Sequence, residues 1–108
     1  MIYDHRTYTC RPGTIRKQLE LYREHGNAAQ MRHLGKPVLF AQTEVGNVNS
    51  YVHIWAYASI AERAEKRRAM HADPDWQTYM KKSAEAGYMQ NQENKILVAT
   101  EIVTRLSE

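Results

Sequence analysis

The residues Tyr51-Val52-His53-Ile54-Trp55-Ala56-Tyr57-Ala58 alternate with a period of two. In an extended strand, Tyr51, His53, Trp55 and Tyr57 share one face while Val52, Ile54, Ala56 and Ala58 share the other. Neither face suits open water, because one is aliphatic and the other is a row of large rings with polar tips. The segment predicts a strand covered on both sides.

The pattern elsewhere supplies its neighbours. Ile2 to Thr9, rich in Ile, Tyr and Thr, predicts a first strand. Arg11-Pro12-Gly13 breaks it, and Thr14 is placed to cap a helix. Ile15, Leu19 and Tyr22 then recur at helical spacing, with Leu21 widening the stripe. Ala28, Ala29, Met31 and Leu34 resume it, which predicts one long helix bent near Gly26 and ended by Gly35 and Pro37. A second strand follows over Val38 to Val45, and Gly46-Asn47-Val48-Asn49-Ser50 has hairpin-loop chemistry.

Ser59 and Glu62 form a capping box directly after the aromatic strand and open a helix to about Met70. Asp73-Pro74 starts another, with Trp76, Tyr79, Met80 and Ser83 on one face. Gly87 stops that helix, and Lys95 to Val103 predicts the last strand. Strand, helix, strand, strand, helix pair, strand is the ferredoxin-like α+β order, a four-stranded antiparallel sheet with helices on one face. The other face then needs a cover, either a partner chain or a ligand.

Composition narrows the function classes. At 108 residues the whole chain, 1–108, reads as one domain. Its net charge of +3 comes from nearly balanced groups. The Lys66-Arg67-Arg68 cluster is flanked by Glu62, Glu65 and Asp73, so it reads as a solvated mixed-charge face. Without a continuous basic stripe, nucleic acid is not an expected partner. Cys10 stands alone, which rules out an intrachain disulfide and makes it a small filler at a strand end. No apolar run approaches a membrane span and no leader pattern precedes Ile2, so the expectation is a cytoplasmic protein with no membrane partner.

Candidate chemistry centres on the aromatic row. Tyr51, His53, Trp55 and Tyr57 read first as a dimer interface, in which their polar tips find partners, and second as the lining of a ligand cavity. In the second reading His53 is a general base near neutral pH. Arg6 shares a strand face with Asp4 and Tyr8. It reads as an exposed or interface ion pair with Asp4, Glu44 or a partner's carboxylate, or else as an anchor for a substrate anion. His5 adds a titratable group to the first strand. With the first and third strands adjacent, His5 and His53 form the best metal pair, yet no further ligand completes it, so neither metal nor cofactor is expected. Trp76 is a core anchor of its helix or a contributor to the same cavity. No Gly-rich phosphate loop, Gly-x-Ser-x-Gly elbow or cysteine pair occurs.

Five passages carry a family resemblance. Met1-Ile2-Tyr3-Asp4-His5-Arg6-Thr7-Tyr8-Thr9 resembles the opening of NIPSNAP-family domains, and Tyr22-Arg23-Glu24-His25-Gly26 their first-helix segment. Val52-His53-Ile54-Trp55-Ala56-Tyr57 is similar to their third strand, and Asp73-Pro74-Asp75-Trp76 to their second helical start. Gln92-Glu93-Asn94-Lys95-Ile96-Leu97 matches the approach to the last strand. His5 departs from the aliphatic residue usual in the opening motif. The resemblance implies a dimeric α/β-barrel, two ferredoxin-like sheets packed face to face. The wider superfamily holds cofactor-independent monooxygenases, haem-degrading enzymes and small-molecule-binding proteins, but the family offers no catalytic motif to transfer.

The expected function is therefore a homodimer, joined through the sheet face, that binds a small molecule between sheet and helices. An oxygenase- or isomerase-type activity without a cofactor would involve His53, Arg6 or His5. The alternative is a non-enzymatic protein-interaction module.

Overall fold

The computed structural model describes residues 1–100 and 102. Along the chain these form β1 (Ile2–Cys10), α1 (Ile15–His25), α2 (Asn27–Leu34), β2 (Leu39–Gln42), β3 (Ser50–Tyr57), α3 (Ile60–Ala72), α4 (Pro74–Ala86) and β4 (Met89–Val98). The strands make one antiparallel sheet in the order β2-β3-β1-β4. The fold is thus the ferredoxin-like α+β arrangement. Among the described residues no helix is long and apolar enough to cross a membrane.

The two central strands bury alternate residues against the helices. On β3 these are Tyr51, His53, Trp55 and Tyr57, and on β1 they are Asp4, Arg6, Tyr8 and Cys10. Trp55 and Tyr57 pack with Tyr22, Leu34, Met70, Trp76 and Tyr79, so the aromatic row belongs to the core of a single chain. This corrects the expectation of an aromatic dimer interface. The aliphatic row of Val52, Ile54 and Ala56 lies on the helix-free face, half-buried. Helix-side aromatics win because partners for their polar tips lie on that side: Gln18 of α1, itself fully buried, donates to the hydroxyls of Tyr79 (2.9 Å) and Tyr51 (3.3 Å), and Arg6 of β1 donates to that of Tyr8.

Local signals set the helix ends. Glu62 N–H donates to Ser59 Oγ at 3.1 Å, while the Glu62 carboxylate accepts from the backbone of Ala58, one residue before the cap. Asp73 caps α4 through Asp75 N–H (2.8 Å) and also accepts from His33 (2.8 Å) and Arg32 of α2, fastening two helices together. Thr14 differs from expectation. It stands at the N-cap of α1, but its hydroxyl donates to Arg11 O (2.7 Å) and makes no cap bond.

The expected long helix is two helices meeting at Gly26. A Cβ there would lie 2.9 Å from Tyr79 Cγ and 3.0 Å from Tyr22 Cδ1, so the joint depends on a residue without one. The outer strands also differ from expectation. β2 covers only Leu39–Gln42 within the expected 38–45. β4 starts six residues before the expected Lys95, because the polar run Gln90-Asn91-Gln92-Glu93-Asn94 pairs with β1 at the sheet edge, where water covers its side chains. Of the expected last strand, Glu101 and Val103 lie outside the described residues.

Candidate functional site

Antiparallel pairing brings Arg6 opposite His53, Tyr8 opposite Tyr51 and Asp4 opposite Trp55, all on the helix side. Cross-strand neighbours on one face sit within side-chain contact, so the two strands build one constellation. Phe40 of β2 and Tyr8 of β1 flank the His53 ring at 5.0 Å each, tilted only 16° and 5° from it. The imidazole is sandwiched. Below it, Trp55 Nε1 donates to His53 Nδ1. That bond leaves the ring proton on Nε2, so the neutral ring is a donor at its free end.

Burial drives the His53 pKa down to about 3, reinforced by the charges of Arg6 and Arg67 and opposed by Asp4. The expectation of a general base near neutral pH at His53 is corrected accordingly. One nitrogen is occupied as an acceptor, and the pKa lies far below the operating range.

Asp4 is completely buried and accepts from Arg6 Nη1 (3.2 Å) and Arg63 Nε (2.9 Å). Arg6 Nε donates to the Tyr8 hydroxyl at 2.9 Å. Burial opposes the Arg6 charge, but Tyr8 and Asp4 outweigh it and raise its pKa. The Arg6–Asp4 pair is therefore internal, neither exposed nor at an interface, and Glu44 lies exposed in the β2–β3 loop. Arg67 is half-buried, with His71 Nε2 at 3.5 Å and the Tyr57 hydroxyl beside it. Burial lowers its pKa, followed by the charges of Arg6 and Arg63.

A cavity of about 90 Å³ lies between the sheet and α3 and α4. Arg6, His53, Tyr51 and Trp76, all sequence candidates, line it. Trp55 and Tyr57 do not, since they are spent in the core below. His5 is on the opposite sheet face, paired with Ile54, so the His5–His53 metal pair cannot form. Among the described residues no group of three or more His, Cys, Asp or Glu could hold a metal ion. Cys10 is buried beside Tyr8 and Tyr51, and burial raises its pKa. Lining residues missed by sequence reasoning include Gln30, Tyr8, Phe40, Arg67 and His71. The signal for the last two was present: Arg63, Arg67 and His71 follow one another at i, i+4 and i+8, a single helix stripe. They were hidden in a basic cluster that looked solvated.

Comparison with known proteins agrees with this architecture. The NIPSNAP family model matches residues 3–103. Human Protein NipSnap homolog 3A is 27% identical over 77 residues, covering 71% of this chain, and the chain spans about a third (31%) of that protein's length. The crystal structure of a NIPSNAP family protein from Agrobacterium tumefaciens is 33% identical with a TM-score of 0.85, covering 93% of each chain. A putative antibiotic biosynthesis monooxygenase from Nitrosomonas europaea shares the fold at 13% identity and a TM-score of 0.65, over 92% of this chain and 98% of its own. With the family model running through nearly all of the described residues, the chain belongs to the NIPSNAP family.

Proposed function

We propose that the protein is a homodimer that binds a small organic molecule in the cleft between its sheet and α3 and α4. The observation that carries this reading is the Asp4–Arg6–His53 constellation, a set of buried polar groups that opens onto a cavity instead of ending in packed core. Buried charges are costly to fold around, and perturbed groups beside a cavity mark a functional site. The cavity is well below the roughly 300–1,000 Å³ usual for whole ligands. It suits a head group of a few atoms, with the rest of the molecule at the mouth, where Met80, His71 and Gln92 are exposed.

The site favours binding over proton transfer, because His53 is neutral and already engaged. An oxygenase- or isomerase-type activity rests on likeness to the monooxygenase fold, which is analogy. Dimerisation is supported by the helix-free sheet face, where Leu39, Val52, Ile54 and Leu97 share a surface that no helix covers. Cys10, a free thiol, suits a reducing compartment such as the cytoplasm.

The test is a thermal-stability screen against small acids, amides, alcohols and sugars, alongside sedimentation equilibrium. The expected result is a dimer and a saturable rise in Tm with at least one compound class, lost when Met80→Trp plugs the mouth. A monomer at all concentrations would sink the assembly. Failure of every class, or a response indifferent to Met80→Trp, would sink the cleft. The competing interaction-module reading draws on exposed Val38, Val45 and Val48 around β2. It gains if a dimer forms, no compound binds, and Val38→Ser with Val48→Ser abolishes capture of a defined protein partner.

A further inference from the structure

We infer that the cleft is a receptor for a single carboxylate, anchored by Arg67. The inference rests on the reading that the cleft holds a ligand, and it adds the chemical class. Its basis is an imbalance of donors and acceptors. Two arginines line the cavity. Arg6 is matched by Asp4, which also accepts from Arg63, so the two cations bonded to that buried carboxylate already exceed its single charge. Among the described residues no carboxylate lies within ion-pair distance of Arg67, whose side chain meets uncharged groups, His71 Nε2 at 3.5 Å and the Tyr57 hydroxyl. The lining therefore presents one unmatched positive charge in a partly desolvated setting, where charge is worth more than in water.

The uncharged groups point to the same chemistry. His53 offers Nε2–H, since Nδ1 is occupied by Trp55. Trp76 is buried, lines the cavity, and its indole Nε1 has no partner among the described residues. The one side-chain oxygen of Gln30, which also lines the cavity, is taken by the Tyr22 hydroxyl at 2.6 Å, leaving its amide N–H groups. With the Gln30 oxygen and His53 Nδ1 already used, the buried part of the lining presents donors and calls for an acceptor-rich guest. Volume then selects a small planar anion, because about 90 Å³ corresponds to roughly three waters of about 30 Å³ each. A guanidinium fork matches a carboxylate in two parallel hydrogen bonds, which favours it over a compact ion. The like charges of Arg6 and Arg63 that burden Arg67 are relieved when the anion enters.

The experiment follows the two tryptophan indole N–H resonances by ¹H–¹⁵N NMR while the full chain is titrated with sodium acetate and propionate. Acetamide and propionamide, with sodium chloride, serve as controls. The expected result is a saturable shift of the Trp76 indole with the carboxylates and none with the amides or chloride. Arg67→Gln is expected to weaken carboxylate binding about tenfold or more, the scale of a charge-assisted hydrogen bond, with an unchanged circular dichroism spectrum. Arg67→Lys, which keeps the charge and loses the fork, should recover part of the loss. Amides that bind as tightly as acids, or Arg67→Gln that binds normally, would overturn the carboxylate assignment and leave the cleft intact. Silence toward every neutral and charged probe would remove the ligand-binding reading with it.

Discussion

The two faces of the sheet invert the usual division of labour. A one-sided antiparallel sheet ordinarily turns aliphatic residues inward and polar residues to water. Here the inward face carries Asp4, Arg6, Tyr8, Tyr51, His53 and Trp55, while the outward face carries the Val52, Ile54 and Ala56 row of β3, beside His5 and Thr7 of β1 and Glu93 and Lys95 of β4. A buried face built of polar-tipped rings and charges costs desolvation energy, offset by the bonds among Asp4, Arg6 and Tyr8, between Trp55 and His53, and from Gln18 to Tyr51. An outward aliphatic row such as that of β3 costs exposure unless another surface covers it. The inversion teaches that hydrogen bonding, not apolarity, decided which face of β3 turned inward.

The sharpest way to break the comparison is Trp55→Glu. Trp55 is 1% exposed in the core, so the variant buries an unpaired charge and is expected to lose roughly 5 kcal/mol or more and unfold, as read by circular dichroism in urea. A folded variant of unchanged Tm would mean that Trp55 faces outward. Asp4→Asn comes next. It leaves Arg6 buried without its counter-charge, at an expected cost of about 3–5 kcal/mol in denaturant unfolding. A loss under 1 kcal/mol would show that the inward charges are solvated.

His53 gives a pH test of the same burial. Its folded pKa of about 3 lies below its ordinary value of 6.5, so the unfolded chain binds the extra proton first. Stability contributed by the neutral ring is complete above pH 6.5 and falls as pH drops from there towards 3, by about 1.4 kcal/mol per pH unit. Urea unfolding at pH 7, 6, 5 and 4.5 should trace that slope, and His53→Gln should remove it. An identical slope in the variant would assign the effect to other groups. Asp73 acts lower on the scale. Its carboxyl is held below its ordinary pKa, first by His33, and its contribution fades only as pH falls through the carboxylate range.

The smallest effect on the fold is expected from the outer face. Ile54→Lys should change the stability of the isolated chain by under about 1 kcal/mol, because the site is only half-buried and borders water. Sedimentation should nevertheless show a monomer. A variant still dimeric at micromolar concentration would assign the interface to another surface.

Much of this architecture was legible in the sequence, and the reasons are local. Ser59 with Glu62, Asp73 with Pro74 and Gly87 announce helix ends through bonds made within a few residues. The pairing of β1 with β3 followed from element order. The site was legible only in part. Arg6, Tyr51, His53 and Trp76 are legible from residue type, whereas Phe40 reaches the cavity from a short edge strand, and the Arg67–His71 stripe is masked by the basic cluster around it. Nor did hydrophobicity mark β4, whose first half is polar and held by backbone pairing with β1.

The sequence by itself determined that β3 has two faces and which residues share each, because the period of an extended chain is fixed by covalent geometry. It could not decide which face turns inward, since both avoid water and amphipathicity then carries no sign. Only the tertiary structure decided that, and the physical reason is hydrogen bonding. Hydroxyl, imidazole and indole groups need buried partners, and Gln18 of α1 together with Asp4, Arg6 and the Trp55–His53 pair supplies them on the helix side alone. That choice assembled the cleft and left the aliphatic row facing outward.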